Sequence, residues 1–166
     1  MKKNIILFVL GAAAIVFLDQ VTKAVIVKNF LLHDSHTVIN GFFNIVYVMN
    51  PGAAFGFLAD MSETFRYLFF IGITVLVMML IIYYIVKIES QNKLYVLSLT
   101  LIFAGAVGNL IDRIRFGAVV DFLDFYIGTA HWPAFNVADS SITIGAVLIV
   151  WGMIRKRRED AVSPGK

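Results

Sequence analysis

The sequence predicts an α-helical membrane protein with four transmembrane helices, a small external β-rich cradle and a second external loop. Three observations predict it. Hydrophobic residues fill 60% of the 166 positions and charged residues only 15%, against about 45–50% and about 25% in soluble domains; the mean hydropathy is +0.84. Four apolar runs each approach the roughly 20 residues that a helical span requires. Lysine and arginine are unevenly shared among the segments joining those runs. The whole chain, residues 1–166, reads as a single integral-membrane domain without internal repeats or low-complexity stretches.

The spans cover about 5–27, 67–86, 94–111 and 137–154. The first is interrupted by Asp19 and Lys23, and the other three are nearly free of charge between their ends. Its start, MKKNIILFVLGAAAIVF, also has the basic region and apolar core of a cleavable signal peptide. However, Ala12–Ala14 lie inside the apolar run and polar DQVTK is followed by more apolar residues, which favours a retained span. With both termini in the cytoplasm, that side holds Lys2, Lys3, Lys87, Lys93, Arg155, Lys156, Arg157, Arg158 and Lys166. Lys23, Lys28, Arg66, Arg113 and Arg115 fall on the other side or in the outer half of the spans, and this bias fixes the expected orientation. The RKRR run then anchors to anionic headgroups, and the net charge of +3 needs no nucleic-acid partner.

Two external segments remain, about 29–65 and 112–136. GFFNIVYVMN in the first is rich in aromatic and β-branched residues and reads as a strand or short hairpin at the membrane surface. NPGAAFGF after it carries turn residues. With no cysteine, thiolate catalysis and disulfides are excluded. His33, His36 and His131 are too few and too scattered for zinc, so no metal and no cofactor are expected.

The polar residues of the spans gather at one level. Asp19 lies roughly 21 Å above Ile5 at 1.5 Å per residue. Asn109, Asp112 and Arg113 close the third span, and Asn136 and Asp139 open the fourth. Asn50 and Asp121 belong to the external segments. Asp19 and Lys23 share one helix face, as do Gly105, Asn109, Asp112 and Arg113; Asn136, Asp139, Ser140 and Thr143 form a third stripe. Charges at membrane depth persist mainly where they face a protein interior or a wet cavity, so the three stripes predict a polar pocket between helices, open to the outer leaflet.

Each residue also has a plainer reading. Asn136 suits the N-cap of the fourth helix with Asp139 three residues on, a capping-box-like pair compatible with a chemical role. Asp19–Lys23 suits a structural ion pair, and Arg113 and Arg115 suit snorkelling to headgroups. Phe122, Phe125, Tyr126 and Trp132 suit an interfacial aromatic belt. Asp60 and Asp124 read as surface acids, and Ser140 and Ser141 have no adjacent histidine to make a nucleophile.

DQVTK (19–23), NPGAAF (50–55), GNLIDR (108–113), VVDF (119–122) and FNVADS (135–140) stand in an order and spacing that resembles lipoprotein signal peptidase (signal peptidase II) over nearly the whole chain. The resemblance implies a four-span aspartic peptidase of the bacterial inner membrane, with both termini cytoplasmic. It implies removal of the signal peptide from diacylglyceryl-modified prolipoproteins, just before the lipidated cysteine. Its partners are then those precursors and membrane lipid, and a monomer is expected. Matched by motif, Asp121 and Asp139 become the catalytic pair. Asp19, Lys23, Asn50, Gly105, Asn109, Arg113 and Asn136 match positions that shape the site or meet its ligands. Asp112, an acid at the same depth, competes with Asp121 for the catalytic role, and Asp121 is preferred. Pro51 replaces the more usual threonine of NPGAAF, a departure that bears on the local turn.

Two carboxylates sharing one proton can hydrolyse a peptide, because close packing splits their protonation. One takes a proton from water while the other hydrogen-bonds the oxyanion. Asp139 at the start of a helix suits the base, leaving Asp121 as the protonated partner. Arg113 is expected to meet a lipid phosphate or a carbonyl, and NPGAAFGF to form a flap. A small proton-coupled transporter subunit is the alternative, but it needs polar residues continuing toward the cytoplasmic ends, which are nearly bare. A non-catalytic assembly factor needs only a polar cluster that locks the helices together.

Overall fold

In the apolar runs, leucine, isoleucine, valine and alanine favour helix, and within lipid a helix satisfies every backbone group internally. The computed structural model describes residues 2–52, 61–87 and 93–162, with side chains for 3–52, 61–87 and 93–158. It contains α1 (Lys2–Asn29), β1 (Ser35–Ile39), β2 (Phe43–Asn50), α2 (Glu63–Lys87), α3 (Lys93–Phe116), β3 (Val119–Ile127), β4 (Ala130–His131) and α4 (Val137–Val162). All four helices are long and apolar enough to cross a membrane. They leave large side chains such as Phe17, Leu68 and Trp151 exposed, as lipid-facing surfaces do.

Helix α3 is central, packed mainly against α4 and α1 and less extensively against α2. Small residues make that approach possible, as is usual between helices in lipid. At Gly105 a Cβ would strike the carbonyl oxygen of Ala138 and crowd Ile142. Gly105 is therefore a packing residue of the α3–α4 seam, one turn below Asn109. Gly105→Ala is expected to force the two helices apart at a cost of about 1–3 kcal/mol. Thermal unfolding in detergent micelles would register it as a lowered midpoint, and an unchanged midpoint would show that the seam yields freely.

The sheet is larger than the expected cradle, because the second external segment contributes a strand. Its order is β1-β2-β3-β4, with all neighbours antiparallel. Val48 pairs with Asp121 and Asn50 with Val119, while the β2–β3 register shifts between Ile45 and Val48. Bulges of this kind often lie beside functional sites, where they re-aim side chains. The segment before α4 returns to β3, with Phe135 exchanging backbone hydrogen bonds with Leu123. That return sets Asn136 beside Asp121. Beneath the sheet, Val120 and Phe122 pack with Ile26 in an apolar cluster, so Phe122 is core and not part of an interfacial belt.

Candidate active site

Two asparagines hold two aspartates at the sheet-bearing end of the bundle. Asn136 caps α4: its side-chain oxygen accepts from the Asp139 amide (2.9 Å), and the Asp139 carboxylate accepts from the Asn136 amide (3.3 Å). This is the reciprocal capping box that the spacing suggests. With its oxygen committed to a backbone N–H, Asn136 must turn its NH₂ the other way. There it donates to Asp121 Oδ1 at 2.7 Å. Asn109 is oriented by the same logic. Its oxygen faces the Lys23 ammonium at 3.0 Å, so its NH₂ donates to Asp139 Oδ1 at 2.7 Å. Amide orientation is often ambiguous; at both asparagines the donor opposite the oxygen settles it.

Behind the asparagines lies an ion network. Lys23 Nζ approaches Asp19 Oδ2 (2.9 Å), Asp112 Oδ2 (2.8 Å) and Asn109 Oδ1 (3.0 Å), which uses all three ammonium protons. Gln20 donates to both acids, at 3.2 Å to Asp19 and 3.0 Å to Asp112. The remaining carboxylate capacity takes backbone amides, Ala138 N–H to Asp19 and Val120 N–H to Asp112. Asp19, Asp112, Asp121 and Asn136 are each no more than 1% exposed. So α1 ties α3 to the first turn of α4 and to β3.

Asp139 opens on a cavity of ≈620 Å³ whose lining also includes Asn50, Arg113, Phe135, Ser140 and Thr143, a size suited to a ligand site. Asn50, at the end of β2, donates to Asp121 Oδ2 at 2.9 Å, so each oxygen of Asp121 receives one amide. The Asn50 oxygen accepts from Gly52 N–H (3.0 Å), closing an Asx turn around Pro51. Proline therefore fits this turn in place of threonine. Gly52 follows at φ 135°, where a Cβ would run into the Phe70 ring. Burial, and then the charge of Asp139, push the Asp121 carboxyl up to about 7, against the hydrogen bonds from Asn50 and Asn136 and the charge of Lys23.

Asp19, Lys23, Asn50, Asn109, Asp112, Asp121, Asn136 and Asp139 thus form one connected hydrogen-bond network. Arg113 joins at its edge: it donates to the Asn109 carbonyl (3.3 Å), lies 5.3 Å from the Phe70 ring and lines the cavity. Neither Asp112 nor Asp121 itself lines that cavity, but Asp121 is bonded to Asn50, which does, whereas Asp112 lies on the Lys23 side. Gly105 serves the packing of α3 against Ala138 and Ile142. The proposed flap of NPGAAFGF falls mostly on residues 53–60, outside the described residues, as does Asp60.

Sequence reasoning passed over Gln20, which joins the two acids flanking Lys23. It also misjudged Asp124, which is not a surface acid: it is buried, accepts from Asn44 (2.8 Å) and pairs with His131 (2.9 Å). A polar residue within each of two apolar strands, Asn44 and Asp124, was the available signal of a cross-strand pair. Toward the opposite end of the bundle, the buried polar side chains among the described residues are Ser98 and Thr100, whose hydroxyls bond back to their own helix. No polar path across the bundle follows from them.

Residues 11–155 match the family model described as Signal peptidase (SPase) II. A lipoprotein signal peptidase from Syntrophus aciditrophicus (strain SB) is 52% identical, covering 97% of this chain and 100% of that protein. Another from Desulforapulum autotrophicum (strain ATCC 43914 / DSM 3382 / VKM B-1955 / HRM2) is 50% identical, covering 91% and 93%. Two solved structures, each described as a bacterial membrane enzyme determined by the in meso method, are also similar. One has a TM-score of 0.80 at 39% identity, covering 96% of this chain and 91% of that one. The other has a TM-score of 0.78 at 38% identity, covering 88% and 91%.

Proposed function

The chain belongs to the signal peptidase II family, the lipoprotein signal peptidases, and we propose that it is an aspartic endopeptidase in which Asp121 and Asp139 activate water. It is a multi-pass membrane peptidase acting on prolipoproteins. The proposed reaction hydrolyses the bond before a diacylglyceryl-modified cysteine. One observation carries the proposal: Asn136 donates its side-chain NH₂ to the Asp121 carboxyl and its backbone N–H to the Asp139 carboxylate, so a single residue bonds both acids.

Water lies between the two carboxyl groups. Asp139, at the positive end of α4, takes its proton as the oxygen attacks the scissile carbonyl. Protonated Asp121 donates a hydrogen bond to the developing oxyanion. When the C–N bond breaks, the proton held by Asp139 passes to the departing α-amine of the lipidated cysteine, and the signal peptide keeps the new carboxylate. Arg113 has a buried Nε without a hydrogen-bond partner among the described residues, which suits it to a carbonyl of the extended substrate. Asp19, Lys23 and Asp112 act behind the asparagines, as supports.

The basic-residue bias supports placing both termini in the cytoplasm and the site at the outer face of the inner membrane. The acids and their supports lie within one chain, so the proposed site needs no residue from a second copy. A diacylglyceryl anchor resists leaving the bilayer, at about 0.8 kcal/mol per buried CH₂, so the carboxylates must meet the scissile bond at the leaflet surface.

The test is a cleavage assay on a diacylglyceryl-modified precursor. The same precursor without the lipid should be cut poorly, and equal rates would refute lipid recognition. The rate should also fall as pH rises through about 7, because Asp121 then loses the proton it must donate. A profile flat from about pH 6 to 8.5 would remove Asp121 from the acid role.

A further inference from the structure

Arg113 and Arg115 stand two residues apart on α3, about 200° around a helix of 3.6 residues per turn, and they border different cavities. Arg113 faces the Asp139 cavity. Arg115 lines a second, ≈180 Å³, between α1 and α3, with Lys28, Val27, Phe116 and the buried Lys23 and Asp112 at its floor. We infer that this second cavity binds the phosphodiester headgroup of an anionic membrane phospholipid.

The charge argues for an anion. Arg115 lies against the Phe116 ring, and among the described residues neither it nor Lys28 has an acidic partner. The one carboxylate at the floor is already engaged: Asp112 takes Lys23, Gln20 and the Val120 amide. Offsetting the carbonyl ends of α1 and α3 accounts for one cation on each helix. It does not account for their sharing a cavity with an apolar wall.

The level argues for a lipid. Lys28 and Arg115 are the penultimate residues of their spans, at the membrane–water boundary where phosphates lie. Below Lys28, Ala24, Val21 and Phe17 follow at spacings of four, seven and eleven, one helix face. Val21 and Phe17 are exposed, and the stripe runs roughly 16 Å down α1. It offers an acyl chain a track directly beneath the cations. The diacylglyceryl group of the substrate carries no phosphate, so this ligand differs from the one proposed for the Asp139 cavity, and the inference stands apart from the aspartate assignment.

The experiment uses the full chain in uncharged detergent micelles, titrated with phosphatidylglycerol, diacylglycerol or inorganic phosphate and followed by native mass spectrometry. Phosphatidylglycerol should be retained, with an affinity roughly thirtyfold lower in the K28Q/R115Q double variant, since each basic contact near a surface is lost. The K28R/R115K variant should bind as the parent does. Both variants should still cleave the lipidated precursor, which reports folding. Equal phosphatidylglycerol binding by K28Q/R115Q and the parent would overturn the inference. So would diacylglycerol retained as well as phosphatidylglycerol, or inorganic phosphate displacing the lipid at equal concentration.

Discussion

Asp139→Asn and Asp121→Asn are each expected to lower cleavage of a diacylglyceryl-modified precursor by about 10³-fold or more, while the variants still insert and fold. Removing the base leaves the water neutral; removing the acid leaves the oxyanion without its proton donor. The surroundings also reject an amide. Both oxygens of Asp121 receive N–H groups, from Asn136 and Asn50, and both oxygens of Asp139 do so from Asn109 and the Asn136 backbone. An asparagine must turn its NH₂ toward one of these donors. None of the neighbouring amides is free to flip, because the oxygens of Asn136, Asn50 and Asn109 are claimed by Asp139 N–H, Gly52 N–H and Lys23. Each variant therefore also loses about 1–3 kcal/mol of stability for an unmatched buried group. Thermal unfolding beside the cleavage assay separates the two effects. A modest fall in melting midpoint with abolished cleavage is the expected pair of results, and full activity in either purified variant would end the two-aspartate mechanism.

What the sequence could disclose followed from periodicity and level. The spans were legible because hydropathy acts over a whole helix, and the capping box because Asn136 and Asp139 stand three apart before an apolar run. The separate destinations of Arg113 and Arg115 are also available from their spacing, although snorkelling is the plainer reading of both. Strand β3 was harder to see. VVDFLDFYI places acids three apart in a strand whose natural period is two, and its first four residues are buried on both faces, so no alternation marks it. Asp124 looked like a surface acid for that reason. The amide orientations were beyond any sequence reading, since they depend on which donor each oxygen meets in space.

Lys23→Met is expected to be the most destabilising single change, at about 3–5 kcal/mol, because it strands Asp19 and Asp112 in the interior without their cation. Its effect on cleavage should be separable from its effect on folding. Lys23 also helps to fix Asn109, whose NH₂ faces Asp139 because its oxygen is held by the ammonium (3.0 Å) and by the Asn136 NH₂ (3.2 Å). Pairing the change with Asp112→Asn keeps the charge of the buried cluster the same, one carboxylate in place of two and a cation. That double variant should recover much of the lost melting temperature. It should not recover cleavage, because the Asn109 oxygen then keeps only the longer bond from the Asn136 NH₂ (3.2 Å) and the amide holds its donor less firmly toward Asp139. Recovery of both would reduce Lys23 to a counter-ion. Recovery of stability alone identifies it as the residue that orients Asn109, acting on the reaction through one hydrogen bond to Asn109.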